Sequence, residues 1–69
     1  MTTIEYMVVG YHGKEWEEIY YCDNSEIGAF KRFNQVKIKD KNIFKVEVRK
    51  DYLKDVLFII DYKILEVIK

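Results

Sequence analysis

Apolar and polar positions along the first third of the chain follow the rhythm of two strands. Residues 3–10 (TIEYMVVG) and 16–22 (WEEIYYC) are rich in β-branched and aromatic side chains, which suit a pleated surface. Gly13 lies between them and supplies the positive φ that a tight turn needs. A turn centred on His12 and Gly13 makes paired residue numbers sum to 25, so Val9 faces Trp16, Tyr6 faces Ile19 and Ile4 faces Tyr21. One face then carries Ile4, Tyr6, Val8, Ile19 and Tyr21, the other Met7, Val9, Tyr11, Trp16 and Tyr20. Both faces are largely apolar, so each requires a cover: helices on both sides, or a second subunit.

A helix is expected next. Asp23-Asn24-Ser25-Glu26 has the form of a capping box with Asp23 as N-cap. Ile27, Phe30 and Phe33 follow at helical spacing, with Ala29 on the flank. Gly28 costs this helix about 1 kcal/mol relative to Ala, a loss that close approach to the sheet would offset. Residues 36–39 and 43–49 then alternate with period two, and Asp40-Lys41-Asn42 between them predicts a second hairpin. In its longer strand Phe44, Val46 and Val48 face one way and Lys45, Glu47 and Arg49 the other.

Residues 51–69 fit two patterns. As a helix, Leu53, Val56, Leu57, Ile60, Ile64, Val67 and Ile68 form one stripe; as a strand, Val56, Phe58, Ile60, Tyr62, Ile64 and Ile68 line one face. The reading adopted is a helix over 51–60 and a strand over 62–68. The expected fold is therefore α+β: a small antiparallel sheet of two β-hairpins, extended by a C-terminal strand if 62–68 pairs, and packed with one or two helices. Its order is β-β-α-β-β-α-β. Residues 56–60 are the longest unbroken apolar run, bracketed by Asp55 and Asp61, and are an aggregation hazard wherever exposed.

Length limits the chain to a single small globular domain, residues 1–69. Its core is marginal, because a domain of this size buries only about 60% of its unfolded surface. One cysteine excludes a disulfide framework and a multi-thiolate zinc site. No apolar run approaches the roughly 20 residues that cross a bilayer, and no basic-then-apolar leader opens the chain. The expectation is a cytoplasmic protein, in the host-cell cytoplasm if a phage encodes it, with no membrane partner. A net charge of zero hides two blocks: residues 1–30 hold six acids against Lys14, and residues 31–50 hold eight bases against Asp40 and Glu47. Such blocks create local potentials even when the total cancels.

No catalytic or metal constellation emerges, and no cofactor is expected. Cys22 and His12 are the only thiol and imidazole. The expected register sets Cys22 opposite Thr3, on the order of 30 Å from His12 at strand rise, against the roughly 2.6–3.2 Å that a nucleophile and its base require. Cys22 reads as a small buried packing residue and His12 as an exposed turn residue. Gly10-Tyr11-His12-Gly13-Lys14 has two residues between its glycines where a phosphate loop has four, and Glu15 follows the lysine. Glu17 and Glu18 alternate across a strand and cannot chelate together. An enzyme is not expected.

Two binding functions remain. A single-stranded nucleic-acid binder would use the basic segment 31–50, with Lys31, Arg32, Lys37, Lys39 and Lys41 beside Phe33 and Phe44. Against it, only Arg32 and Arg49 offer fork geometry, and both phenylalanines are assigned to the core. The preferred reading is a non-enzymatic protein-interaction module whose partner meets an acidic aromatic hairpin face at Tyr11, Trp16, Glu18 and Tyr20, since Trp and Tyr are enriched at interfaces. Homodimerisation through the hairpin or the C-terminal element would add the core that so short a chain lacks. The Pro-free, Lys- and Tyr-rich composition and the short length fit an accessory or inhibitory protein of a phage or other mobile element, acting on a host protein. A structural subunit of a larger assembly is the third reading.

Overall fold

The β-formers of the N-terminal third pair as a hairpin of β1 (Thr2–His12) and β2 (Trp16–Asp23). They do so in a computed structural model that describes residues 2–13, 16–36, 43 and 45–68. Helix α1 (Glu26–Val36) follows, then a second hairpin of β3 (Lys45–Lys54) and β4 (Phe58–Ile68). β3 docks on the free side of β1, so the sheet runs β2-β1-β3-β4 with every neighbouring pair antiparallel. The fold is α+β, with four strands and one helix among the described residues.

α1 lies across one face of β2, β1 and β3. Val8, Val46 and Val48 are fully buried and pack with Ala29, Phe33 and Ile43. Each fully buried aliphatic side chain contributes about 1.5–3 kcal/mol, so this short set carries much of the fold. The helix begins at Glu26 because Ser25 caps it: the Gly28 N–H donates to Ser25 Oγ at 3.0 Å, and the Ala29 N–H to the Ser25 carbonyl at 3.1 Å. Asp23, the expected cap, instead accepts from the Asn24 N–H at 2.7 Å. A Cβ on Gly28 would collide with the Tyr21 hydroxyl, which is the close approach to the sheet that a glycine in this helix implied. Of the expected stripe Phe30 and Phe33 pack on the core and Ile27 is exposed, while Val36, expected in a strand, joins them from the end of the helix.

The first hairpin has a different register from the one expected. It closes between His12 and Trp16, which pair, followed by Tyr11 with Glu17 and Val9 with Ile19. An odd change of register exchanges the faces of a strand, so Trp16 and Ile19 change sides. A bulge at Tyr20 then restores parity: Val8 pairs with Tyr21, and Cys22 lies opposite Met7 rather than Thr3.

The helix expected over 51–60 does not form. β3 continues to Lys54, Asp55 and Val56 take positive φ values of 56° and 64°, and the Leu57 N–H donates to the Lys54 carbonyl at 3.1 Å. Two consecutive positive φ angles open a turn whose twist matches its strands, within a three-residue connection between the paired Lys54 and Phe58. β4 returns beside β3 with bulges at Ile60 and Leu65, so the described residues form β-β-α-β-β, without the expected second helix. Of the strand expected over 36–39, Val36 belongs to α1; residues 37–42 and Phe44 lie outside the described residues.

The sheet is only partly covered. The 11 residues of α1 make a rod about 16 Å long, whereas the molecule measures 40 × 26 × 14 Å. Among the described residues α1 is the one element that lies over the sheet; on the opposite face Val9, Glu47, Asp51 and Leu53 are buried at the centre, while Ile19, Ile59, Tyr62, Ile64 and Val67 on the outer strands are exposed. The accessible surface is 5033 Å², where a compact monomer of this mass exposes about 4,600 Å². Among the described residues no helix is long and apolar enough to cross a membrane.

Candidate interaction surface

The pairing of β1 with β3 brings Met7, Val9 and Tyr11 beside Glu47, Arg49 and Asp51 on the uncovered face. Along β3 this face alternates Lys45, Glu47, Arg49, Asp51, two cations and two anions in one row. Glu47 accepts a hydrogen bond from the Tyr11 hydroxyl. Lys45 Nζ lies 3.9 Å from the other Glu47 oxygen and 4.7 Å from the centre of the Tyr11 ring. Arg49 forks onto Asp51, Nε to Oδ1 at 3.2 Å and Nη2 to Oδ2 at 3.1 Å, with its guanidinium 4.9 Å over the Tyr62 ring. Asp51 is 0% exposed. A buried carboxylate persists only with such partners, because an unpaired one would carry its full desolvation cost.

The protonation states follow from these contacts. Burial, then the hydrogen bond and charge of Glu47, push the Tyr11 hydroxyl up to about 12, with Arg49 opposing. For Arg49, burial is the largest influence and acts downward, but Asp51 and Tyr11 outweigh it and the net shift is upward. Tyr11 is therefore a neutral donor and Arg49 a cation across the neutral range. Every charge in the row already has its partner, so covering it with another molecule uncouples nothing.

Around the row stand apolar groups in water. Ile19 on β2 and Ile59, Tyr62, Ile64 and Val67 on β4 are between 39% and 58% exposed. Their pairing with Val9, Leu53, Asp51, Arg49 and Glu47 puts them on the same face as the row. The β3–β4 tip adds Val56, Leu57 and Phe58, 65–75% exposed. Exposed apolar side chains thus flank the satisfied polar row on both outer strands.

The four residues expected to form the partner surface do not share a face. Tyr11 belongs to the uncovered face, through Glu47. Trp16 and Glu18 lie on the helix side: Trp16 stacks on His12 at 3.8 Å with 3° between the planes, and Glu18 Oε1 is 3.8 Å from His12 Nε2. Tyr20, in the bulge, fills the space at Gly10 on the helix side and lies 5.9 Å from the Arg32 guanidinium. The shifted turn separates them. His12, expected to be exposed, has a side chain only 10% exposed, and Cys22, expected to be buried, is exposed. Burial of the sulfur at the β2 edge, together with Glu5, Asp51 and Asp23, nonetheless pushes the Cys22 thiol up to about 11.

The basic segment is dispersed as well. Lys31 and Arg32 are exposed on α1, with Arg32 donating to the Tyr20 carbonyl and to Gln35. Lys45 and Arg49 belong to the ionic row, and Lys50 faces the helix side near Tyr6 and Tyr52. Lys37, Lys39 and Lys41 lie outside the described residues. The alternating signs of Lys45, Glu47, Arg49 and Asp51 were the signal that could have identified the ionic row from the sequence. Set against known protein families, curated proteins and solved structures, the chain matches none.

Proposed function

We propose that the chain is a non-enzymatic protein-interaction module that holds a protein partner against the uncovered face of its sheet. The observation that carries this reading is the combination on one face of a charge row already satisfied at Glu47 and Asp51 with the exposed apolar rim of Ile19, Tyr62 and Ile64. Such a rim favours a partner whose contacting side chains are apolar and carry little charge. The only thiol and imidazole do not support chemistry. Cys22 pairs with Met7 while His12 pairs with Trp16 at the far end of the same hairpin, about 20 Å away at strand rise and on the other face. A thiol with a pKa of about 11 is a poor nucleophile at neutral pH.

The test is retention of a partner from native cells by the immobilised full chain. Ile19→Glu and Ile64→Lys should each abolish retention while circular dichroism stays unchanged. Ile27→Lys, on the solvent side of α1, should retain it. Retention by both face variants would refute this surface.

A second reading has one specific observation in its favour. Lys50 stands directly opposite Lys63, a like-charge pair that costs stability unless an anion joins it, and Tyr6 and Tyr52 flank Lys50 at 6.0 and 5.5 Å. Single-stranded nucleic acid would meet such a cluster with phosphate on lysine and base on ring. Retention on single-stranded DNA or RNA at low salt, lost in Lys50→Ala with Lys63→Ala, is the outcome it requires.

A further inference from the structure

We infer that the outer edge of β4 pairs with the same edge of a second copy, antiparallel about a dyad at Tyr62, joining two four-stranded sheets into one of eight. This pairing shares Tyr62 and Ile64 with the face proposed to hold the partner, so Ile19→Glu, on β2, tests the partner reading without touching the β4 edge.

β4 is last in the sheet order, and among the described residues no strand pairs with its outer edge. Edges left open in natural sheets are usually blunted by short length, charged side chains, bulges or proline. β4 carries bulges at Ile60 and Leu65 and charges at Asp61, Lys63 and Glu66, and the sign pattern of those charges favours one self-pairing. β4 is 11 residues long, and Phe58, Ile59, Ile60, Tyr62, Ile64 and Val67 are all exposed along it. Its amides already borrow acceptors: the Tyr62 N–H donates to the Asp61 carboxylate at 2.8 Å, and the Val67 N–H to the Glu66 carboxylate at 3.2 Å. Side-chain oxygens there serve where a neighbouring strand's carbonyls would.

The charges choose both the occupant and the register. With Tyr62 opposite Tyr62, Asp61 of each copy stands opposite Lys63 of the other, so one symmetric pairing makes two ion pairs. Asp61 and Lys63 pair with Tyr52 and Lys50 on β3 and so share the helix side, as cross-strand partners must. Centring the dyad on Lys63 would oppose lysine to lysine, and centring it on Asp61 would oppose aspartate to aspartate. On the other face the dyad joins the two Tyr62 rings and brings Ile59 of one copy alongside Ile64 of the other, with the bulge at Ile60 retained. The pairing strand is thus complementary to itself in charge and in apolar surface.

The experiment is sedimentation equilibrium on the full chain and four charge variants. Wild type should be a dimer. Asp61→Lys and Lys63→Asp should each weaken association about tenfold or more, because each sets like charges opposite one another twice. The double variant Asp61→Lys, Lys63→Asp restores opposite charges and should recover the dimer. These sites are exposed, and circular dichroism establishes that each variant is folded. A monomeric wild type, or a double variant as weak as either single, overturns the pairing. Weakening by Lys63→Asp and Glu66→Lys but not by Asp61→Lys overturns the register, since Lys63 would then oppose Glu66.

Discussion

Replacing Asp51 by Ala tests the ionic row most directly. The substitution leaves the Arg49 guanidinium between Tyr11 and Tyr62 without its carboxylate. Removing one partner of a buried pair costs about 3–5 kcal/mol. The Arg49 side chain is 17% exposed, so water reaches part of the stranded charge and the lower end, about 3 kcal/mol, is expected. A chain of 69 residues at ordinary stability has about 3–10 kcal/mol in all, so the loss is a large share of the total. At about 4–8 °C per kcal/mol for a domain this small, Tm should fall by about 12–24 °C. Urea unfolding followed by the fluorescence of Trp16, which stacks on His12 at 3.8 Å, reads the change. The double replacement Arg49→Met with Asp51→Leu should return most of the stability, because apolar residues of similar volume can replace a buried ion pair at little cost. A single-variant loss under about 1 kcal/mol, the value of an exposed pair, would refute the buried-pair reasoning. So would a double variant as unstable as the sum of the singles.

Other positions make separate demands. Gly10→Ala sets a Cβ 2.5 Å from Tyr20 Cε2 and should cost about 1–3 kcal/mol by overpacking, read as a lower urea midpoint. Ser25→Ala removes the cap on Gly28 and should cost about 1 kcal/mol, which Ser25→Asp largely avoids. Val56 is β-branched at a φ of 64°, so Val56→Gly should raise the urea midpoint by relieving about 1–3 kcal/mol of strain. The Tyr11 hydroxyl has a folded pKa of about 12 against an ordinary 10.0, so the unfolded chain releases that proton first. Its contribution to stability is complete below pH 10 and is lost as pH rises through 12. The urea midpoint should decline across that window, and Tyr11→Phe should flatten the decline.

What could be read from the sequence was what depends on one element at a time. Alternation alone places Val46 and Val48 on one face, and helical spacing places Phe33 in the stripe with Ala29 on its flank; all four are core. Gly28 was expected to mark a close approach, and Tyr21 makes it. The errors arose where a local pattern left two geometries nearly equal in energy. Two or three residues around Gly13 close a hairpin equally well, yet the choice moves Trp16 and Ile19 to opposite faces. The bulge at Tyr20 then returns Tyr21 to the core side, a correction that no propensity encodes. Residues 51–60 satisfy a helical stripe, but pairing with β1 extends β3 to Lys54 and leaves only the three residues 55–57 before β4. The ionic row needed one further step. Tyr11 meets Glu47 only because β3 pairs with β1, across the intervening β2 and α1.

The length of α1 explains why β4 keeps its apolar side chains. A rod of about 16 Å covers the part of the sheet that holds Val8, Val46 and Val48 and makes its contacts with β1, β2 and β3. On β4 only Leu65 and Ile68 pack against the core. Ile59, Tyr62, Ile64 and Val67 turn to the opposite face, which no repacking of a single helix could reach. A dyad at Tyr62 perpendicular to the sheet keeps like faces together, so both helices of the proposed dimer lie on one side and both uncovered faces on the other. The dimer then presents two copies of the apolar rim side by side, meeting at the paired β4 strands that carry Ile59, Tyr62, Ile64 and Val67. A partner that is itself two-fold symmetric would meet both rims at once, and its second contact would form at the effective concentration set by the joined sheet. Breaking the Asp61–Lys63 pairing should therefore weaken retention of such a partner without altering a single residue of either uncovered face. A partner retained equally by dimer and by Asp61→Lys monomer must engage one rim alone.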